Sequence, residues 1–299
     1  MDQEACDILS NSTRLHDPLH RWSQSSPDQP ALLEADEAWT YRELELVVAK
    51  TATWLVAAGV RPGDRVMIVF ENCKSFVAIL FALSQINALC VPVNARLSGR
   101  ELDTIRDHCG ARLIVYLTSV SSHALDHAKR SGAAMEEHKD LGLIGLSALE
   151  EAAVPETPSP DSADAVAAII YTSGTTSKPK GVMLTHRNVL FSATAAGKLR
   201  FLTPADRVLG ILPMSHATGL VVQVLGSLFH GGAVYLLPQF DPIKVSAVLQ
   251  KYSLTVLYGV PFVFTQFLEY AKIRGIKSFR YPRLRVMSCS GAPLLPAVK

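Results

Sequence analysis

The chain has 299 residues, 48% of them hydrophobic, with a formal net charge of +2 at pH 7 and a pI near 8.2. This length and composition describe a globular chain that can bury a large core without disulfide or metal staples, which excludes fibrous and disordered classes. The near-zero charge predicts no general affinity for nucleic acid or membrane surfaces.

The amino terminus and the cysteines predict a cytoplasmic chain. Residues 1–12, MDQEACDILSNS, are acidic and lack the basic and apolar regions of a secretory signal. The five cysteines show no close C-x-x-C spacing, which is typical of a reducing compartment. The most apolar helical stretch, residues 217–229, is shorter than the ~20 residues of a membrane span and predicts a buried core helix.

Seven short apolar runs alternate with segments that carry helix signals. The runs are continuously apolar, as in parallel strands that are covered on both faces. Thr40 with Glu43, and Ser98 with Glu101, have the spacing of capping boxes and predict the starts of two helices. This alternation predicts an α/β fold with two mostly parallel sheets flanked by helices. The predicted strands are residues 66–70, 113–117, 165–171, 208–212, 233–237, 254–258 and 284–289.

A stretch rich in proline, serine and acid, EEAAVPETPSPDSAD at residues 150–164, is typical of a solvated linker. It predicts an internal boundary, with a first α/β subdomain over residues 1–164 and a second over residues 165–299. The last residues, SCSGAPLLPAVK, stop where a strand gives way to a loop, a point at which domains seldom finish. We therefore expect the domain to be incomplete at its carboxyl end.

The predicted strand 165–171 leads directly into a polar loop within YTSGTTSKPKG, residues 171–181. Its backbone N–H groups and hydroxyls can donate hydrogen bonds to an anion, while Lys178 and Lys180 add positive charge. The Walker pattern is absent, because Pro179 stands five residues after Gly174, and this disfavours a P-loop kinase or GTPase. A plain solvated turn would not require this order of residues directly after a buried strand, so the pattern favours an anion-binding loop.

The same loop is similar to Y-T-S-G-T-T-G-x-P-K-G, the signature of the acyl-adenylate-forming enzymes, with Ser177 where glycine is commonest. That family comprises acyl-CoA synthetases, including those of fatty acid metabolism, peptide-synthetase adenylation domains and firefly-luciferase relatives. Other family elements stand in the same order over nearly the whole chain, which therefore resembles the large N-terminal domain of these enzymes. They are WTYREL (39–44), SQINALCVPVNARLS (84–98), LPMSHATGL (212–220), YGVPFVF (258–264) and SGAPL (290–294).

The resemblance implies a two-step reaction with ATP, Mg²⁺ and coenzyme A. A carboxylate attacks the α-phosphate of ATP, pyrophosphate leaves, and a thiol, usually that of coenzyme A, then attacks the acyl-adenylate. Both reactants of the first step are anions, so the site must screen their repulsion and align them.

By the same resemblance, the loop and Lys180 would hold the ATP phosphates and the departing pyrophosphate. Thr175 would support Mg²⁺, with further oxygen ligands and waters. His216 would lie beside the carboxylate and the acyl tunnel, orienting the substrate and gating the thiol, so His216 and Lys180 are the candidate catalytic residues. The predicted phosphate-binding residues are Thr172, Ser173, Gly174, Thr175 and Thr176, and Gly291, Ala292 and Pro293 would line the adenine and acyl-adenylate site.

Three alternatives remain at this point. An amino-acid-activating domain normally carries F-D-x-S near the histidine, whereas GILPMSHATGL has no acid, so an uncharged acyl or aryl acid is preferred. A ligase that loads a carrier protein stays open. The third is a catalytically silent nucleotide-binding fragment, because the Y-G-x-T-E element, the T-G-D aspartate and the C-terminal adenylation lysine of complete members do not occur before Lys299. We expect these 299 residues alone to be nearly inactive.

Two weaker patterns favour ordinary structure. His123 and His127 have helical spacing, but Ala124 replaces the glutamate of a zinc-protease motif, which favours a solvated helix face. The basic and aromatic cluster KSFRYPRLR, residues 277–285, is too short for a nucleic-acid groove and favours a turn before a strand.

Overall fold

The computed structural model describes residues 8–157, 159, 161–172, 179–295 and 298. Strands and helices alternate along this part of the chain. The strands are β1 (Pro30–Glu34), β2 (Glu37–Thr40), β3 (Arg65–Phe70), β4 (Leu89–Asn94), β5 (Leu113–Leu117), β6 (Ala134–His138), β7 (Gly142–Leu146), β8 (Val166–Thr172), β9 (Lys180–Thr185), β10 (Arg207–Gly210), β11 (Ala233–Leu236), β12 (Val256–Gly259) and β13 (Val286–Cys289). The helices are α1 (Asp17–Ser25), α2 (Tyr41–Ala57), α3 (Lys74–Gln85), α4 (Gly99–Cys109), α5 (Ser122–Arg130), α6 (His186–Leu199), α7 (Gly226–Phe229), α8 (Pro242–Lys251) and α9 (Pro261–Arg274), with a π-helix over Thr218–Leu225 and a 3₁₀ turn over Ser162–Asp164.

Local sequence signals account for several of these boundaries. The capping boxes predicted at Thr40 and Ser98 are both formed, so α2 and α4 begin where expected. All seven predicted strands are present. The predicted core helix 217–229 is confirmed as helical and buried, but its first part is wound as the π-helix instead of an α-helix.

The strands form two sheets, which confirms the predicted fold class. The larger has the order β6-β7-β5-β3-β4-β8-β9, and the smaller has the order β13-β12-β10-β11-β1-β2. Pairing is parallel through the centre of each sheet, while β2, β6, β7 and β9 join as antiparallel partners.

Neither sheet stops at the boundary predicted between residues 164 and 165. β8 and β9 follow that point but belong to the larger sheet, and β1 precedes it but pairs with β11 of the smaller sheet. The division into 1–164 and 165–299 stays a prediction, and each sheet is best described by its own strands.

The helix α3 connects the two sheets through the core. Every residue from Lys74 to Ser84 is buried, and the helix contacts both β4 of the larger sheet and β1 of the smaller. An all-round apolar helix of this kind needs protein on every side. Within the described residues, no helix is both long and apolar enough to cross a membrane.

An ion pair between a buried carboxylate and an exposed arginine joins the amino-terminal ends of β10, β12 and β13. Asp206 is 3% exposed and accepts hydrogen bonds from Arg285 Nε at 2.8 Å and Thr255 Oγ1 at 2.6 Å. Burial alone would raise the pKa of Asp206, but the hydrogen bonds from Arg285, Thr255 and the Thr203 amide lower that pKa overall. The basic cluster predicted as a turn therefore supplies a structural partner through Arg285.

We expect Arg285→Met to lower the free energy of unfolding by about 2 kcal/mol at pH 7, because it leaves a buried carboxylate short of a charged donor. The pKa of Asp206 is depressed in the folded state, so this stabilisation is present above the unfolded value of about 3.9 and is lost as pH falls through the folded value. Urea titrations should therefore give a larger difference from wild type at pH 7 than at pH 3. The exposed neighbour Arg283→Met is the control, and equal losses in both variants would contradict the prediction.

Candidate active site

The carboxyl ends of strands from both sheets meet in one region. Asn72 follows β3 of the larger sheet, and its Nδ2 donates to the carbonyl of Leu212, which follows β10 of the smaller sheet, at 3.0 Å. The Met214 N–H donates back to Asn72 Oδ1 at 2.9 Å. Because ligands of open α/β sheets bind beyond the carboxyl ends of their strands, this region is the candidate site.

The turn that carries His216, residues 211–217 (the His216 turn), is fixed through its backbone. Gln223 of the π-helix is fully buried, accepts the Leu212 N–H at 3.0 Å and donates to the Leu209 carbonyl at 2.8 Å. The His216 N–H donates to the Pro213 carbonyl at 3.0 Å, and His216 itself is exposed. The imidazole is therefore presented outward from a rigid support.

The hairpin of β8 and β9 brings together Thr172 and Lys180, which are directly paired across the two strands and are both exposed. On the residue before Thr172, the Tyr171 hydroxyl lies 2.6 Å from Nδ1 of His108 on α4. Burial raises the pKa of Tyr171, so its protonated hydroxyl can donate this bond. The predicted phosphate-binding residues Ser173, Gly174, Thr175 and Thr176 lie outside the described residues.

The predicted residues Gly291, Ala292 and Pro293 follow β13. The Ser290 N–H donates to the Gly259 carbonyl at 3.1 Å, and Gly291 then adopts φ +85°, a left-handed conformation that favours glycine. Ala292 and Pro293 are exposed. In the smaller sheet β13 is separated from β10 only by β12, so this loop and the His216 turn lie along the same edge.

The predicted residues thus form two groups. Thr172 and Lys180 lie together at the edge of the larger sheet, while His216 and the loop of Gly291 lie on neighbouring strand ends of the smaller sheet. The parallel β4 and β8 place the hairpin at the carboxyl edge of the larger sheet, the edge from which Asn72 reaches the His216 turn. The structure therefore supports a shared region for both groups.

A cleft of about 270 Å³ at this junction contains polar residues that the motifs alone did not single out. Glu71 is buried and pairs with Arg96, whose Nε lies 2.7 Å from Glu71 Oε1. Asn72 and Ser215 also line the cleft. The available sequence signal was the polar run ENCKS directly after the apolar run 66–70, since polar residues at the end of a buried parallel strand face the ligand edge.

Comparison with known proteins identifies the family. The model of the AMP-binding enzyme family matches residues 19–299. The chain belongs to this family. This AMP-binding chain is 34% identical over 279 residues to feruloyl-CoA synthase from an Amycolatopsis species, covering 93% of the chain and 54% of that relative. It is also 28% identical over 287 residues to long-chain-fatty-acid–CoA ligase FadD13 of Mycobacterium tuberculosis, covering 94% of the chain and 56% of that relative.

Solved structures give the same family fold. Apo MatB from Rhodopseudomonas palustris superposes with a TM-score of 0.75 at 28% identity, over 96% of the AMP-binding chain and 56% of MatB. The apo MbtA structure from Mycobacterium smegmatis, at 23% identity, has a TM-score of 0.78 over 98% of the chain and 55% of MbtA and supports the fold alone. The chain spans about half the length of the curated relatives it matches.

Proposed function

We propose that the AMP-binding chain provides the ATP- and acid-binding part of an acid–thiol ligase. The carboxylate oxygen attacks the α-phosphorus of ATP and displaces pyrophosphate; the thiol sulfur of coenzyme A then attacks the acyl carbon and displaces AMP. The observation that carries the proposal is the meeting of both sheets' carboxyl ends at the His216 turn, in a chain 34% identical to feruloyl-CoA synthase.

Lys180 and Thr172 fit the polyphosphate of ATP, because an exposed cation and a hydroxyl are paired across the loop end of the β8–β9 hairpin. Together with Ser173, Gly174, Thr175 and Thr176 they would bind the phosphates and pyrophosphate. The left-handed Gly291, with Ala292 and Pro293, would let the backbone approach the adenine and the acyl-adenylate.

The proposed role of Mg²⁺ is to neutralise phosphate charge when it is bound. Among the described residues there is no group of three or more His, Cys, Asp or Glu side chains suited to a metal ion. An ion held mainly by phosphate oxygens and water, with the hydroxyl of Thr175, fits this donor set, because Mg²⁺ keeps several waters in such sites.

The proposed substrate is an uncharged acyl or aryl acid. The neighbours of His216 in its turn are Ser215 and Ala217, so the turn offers no carboxylate to an amino group. Feruloyl-CoA synthase among the relatives favours an aryl acid, and FadD13 keeps a fatty acid as the second candidate. His216, exposed on its rigid turn, would orient the carboxylate and gate the thiol. Carrier-protein loading is the alternative acceptor chemistry.

The chain spans about half of its curated relatives, so we propose that residues 1–299 alone accelerate adenylation little and that they resemble a nucleotide-binding fragment. We also propose that the protein acts in the cytoplasm, since the described cysteines Cys73, Cys90, Cys109 and Cys289 are all free thiols.

The test is ATP–pyrophosphate exchange by the complete gene product, meaning the whole polypeptide translated from the reading frame that contains residues 1–299. We expect exchange with ferulate, coumarate, benzoate or fatty acids, no exchange with amino acids, and acyl-CoA detected by mass spectrometry when coenzyme A is added. Absence of exchange with every acid would refute the ligase proposal. Robust exchange by residues 1–299 alone would refute the proposed low activity of this portion.

A further inference from the structure

The side chain of Asn72 hydrogen-bonds backbone groups that follow a strand of the other sheet. Asn72 precedes Cys73, the N-cap residue of α3, and Cys73 makes no side-chain cap. The Lys74 N–H is bound instead by Glu34 Oε2 at 2.6 Å. Asn72, which is 2% exposed, makes its hydrogen bonds to the His216 turn of the other sheet.

The hydrogen bonds of Asn72 require an amide. The Met214 N–H can only donate, so Oδ1 faces it at 2.9 Å, and Nδ2 then donates to the Leu212 carbonyl at 3.0 Å. A carboxylate of the same shape would keep the acceptor but would place a second oxygen against the Leu212 carbonyl. Leucine would offer neither group, leaving both backbone partners unsatisfied in the core.

These two contacts bracket Pro213, which has no N–H of its own with which to anchor the turn. Gln223 holds the Leu212 N–H from the opposite side, so both backbone groups of Leu212 are bound by side-chain amides. The Pro213 carbonyl in turn accepts the His216 N–H at 3.0 Å. A direct chain of contacts therefore runs from β3 to the backbone of His216.

We propose that Asn72 is a positioning residue for His216, setting the place of the His216 turn relative to the larger sheet that carries Lys180. This inference rests on the proposed ligase function. It implies that Asn72 affects the use of the carboxylic acid, which would approach His216, more than the binding of ATP, which would approach the hairpin.

The test compares Asn72→Ala and Asn72→Asp with wild type in the complete gene product. We expect kcat/KM for the acid in ATP–pyrophosphate exchange to fall about tenfold or more in both variants, since small misplacements of orienting groups are costly, while KM for ATP stays within about twofold. Amide hydrogen exchange of residues 211–216 should accelerate in Asn72→Ala. Asn72→Asp keeps the shape of the side chain, so its loss of activity would separate hydrogen bonding from packing.

Tyr41→Phe is the matched control, because Tyr41 is fully buried and its hydroxyl donates to the Gly232 carbonyl at 2.8 Å, beside the amino end of β11 and so at the edge of the smaller sheet opposite the His216 turn. It should lower the melting temperature while leaving exchange kinetics unchanged. The positioning role would be overturned if the Asn72 variants kept the wild-type kcat/KM for the acid, or if the kinetic parameters for ATP and for the acid changed equally. Unchanged amide hydrogen exchange over residues 211–216 would also overturn it. A wild-type protein without any exchange activity would instead refute the ligase function, and the positioning role with it.

Discussion

Replacing Lys180 by alanine is expected to reduce ATP–pyrophosphate exchange by the complete gene product about 100-fold. Lys180 is exposed at the start of β9 and directly opposite Thr172, so its side chain lies at the loop end of the β8–β9 hairpin. A positioned donor of this kind stabilises charge that develops on phosphate oxygens, and removal of one such group typically costs about 10²–10³ in rate. The measurement is the initial exchange rate at saturating acid over a range of ATP concentrations.

The matched control for this variant is Lys139→Ala, in an exposed residue between β6 and β7 at the opposite edge of the larger sheet. It removes the same charge without touching the hairpin and should leave exchange unchanged. Lys180→Arg should retain more activity than Lys180→Ala, because the positive charge is preserved. If Lys180→Ala and Lys139→Ala gave equal rates, Lys180 would have no role in binding phosphate.

Replacing Gly219 by alanine is expected to destabilise the fold by about 3 kcal/mol, near the upper end of overpacking penalties. A Cβ at this position would lie 2.2 Å from the Pro213 carbonyl oxygen and 2.6 Å from that of Leu212. Both oxygens belong to backbone that is held on its other side by Asn72 and Gln223, so the clash cannot be relieved by a rotamer change. Urea titration of residues 1–299 measures the loss directly.

Gly99→Ala provides the comparison for that substitution. Its added Cβ would also make a short contact, at 2.8 Å, but only with the end of the flexible Arg130 side chain. This side chain can move, so we expect a change near zero. A large loss for Gly99→Ala and a small one for Gly219→Ala would show that the backbone around the His216 turn is softer than its hydrogen bonds indicate.

Local patterns were enough to predict the strands and several helix starts, because apolar runs and capping boxes act within a few residues. The membership of each sheet could not be predicted in the same way. β1 pairs with β11, whose residues lie about 200 positions later, and neither segment carries a sequence pattern that identifies its partner strand. The apolar pattern of residues 217–229 predicts a helix but not its type, since an α-helix and a π-helix share that pattern.

The candidate site shows the same contrast. Motif residues such as His216 and Lys180 could be named from sequence because their neighbours have a fixed order. Asn72 and Gln223 could not, because the partners of Asn72 lie about 140 residues away and those of Gln223 are backbone groups without a sequence signature. The residues that would contact substrate were thus easier to predict than the residues that hold them in place.

The pairing of β1 with β11 also has a consequence for synthesis on the ribosome. All strands of the larger sheet have been translated once residue 185 is complete, whereas Leu32 of β1 must wait for Val234 of β11. At about 5–20 residues per second, the roughly 200 residues between Leu32 and Val234 take about 10–40 s to translate. During this time the unpaired edge of β1 and the apolar face beneath it lack their final partners, so the nascent chain passes through a period in which chaperone binding or misassociation competes with closure of the smaller sheet.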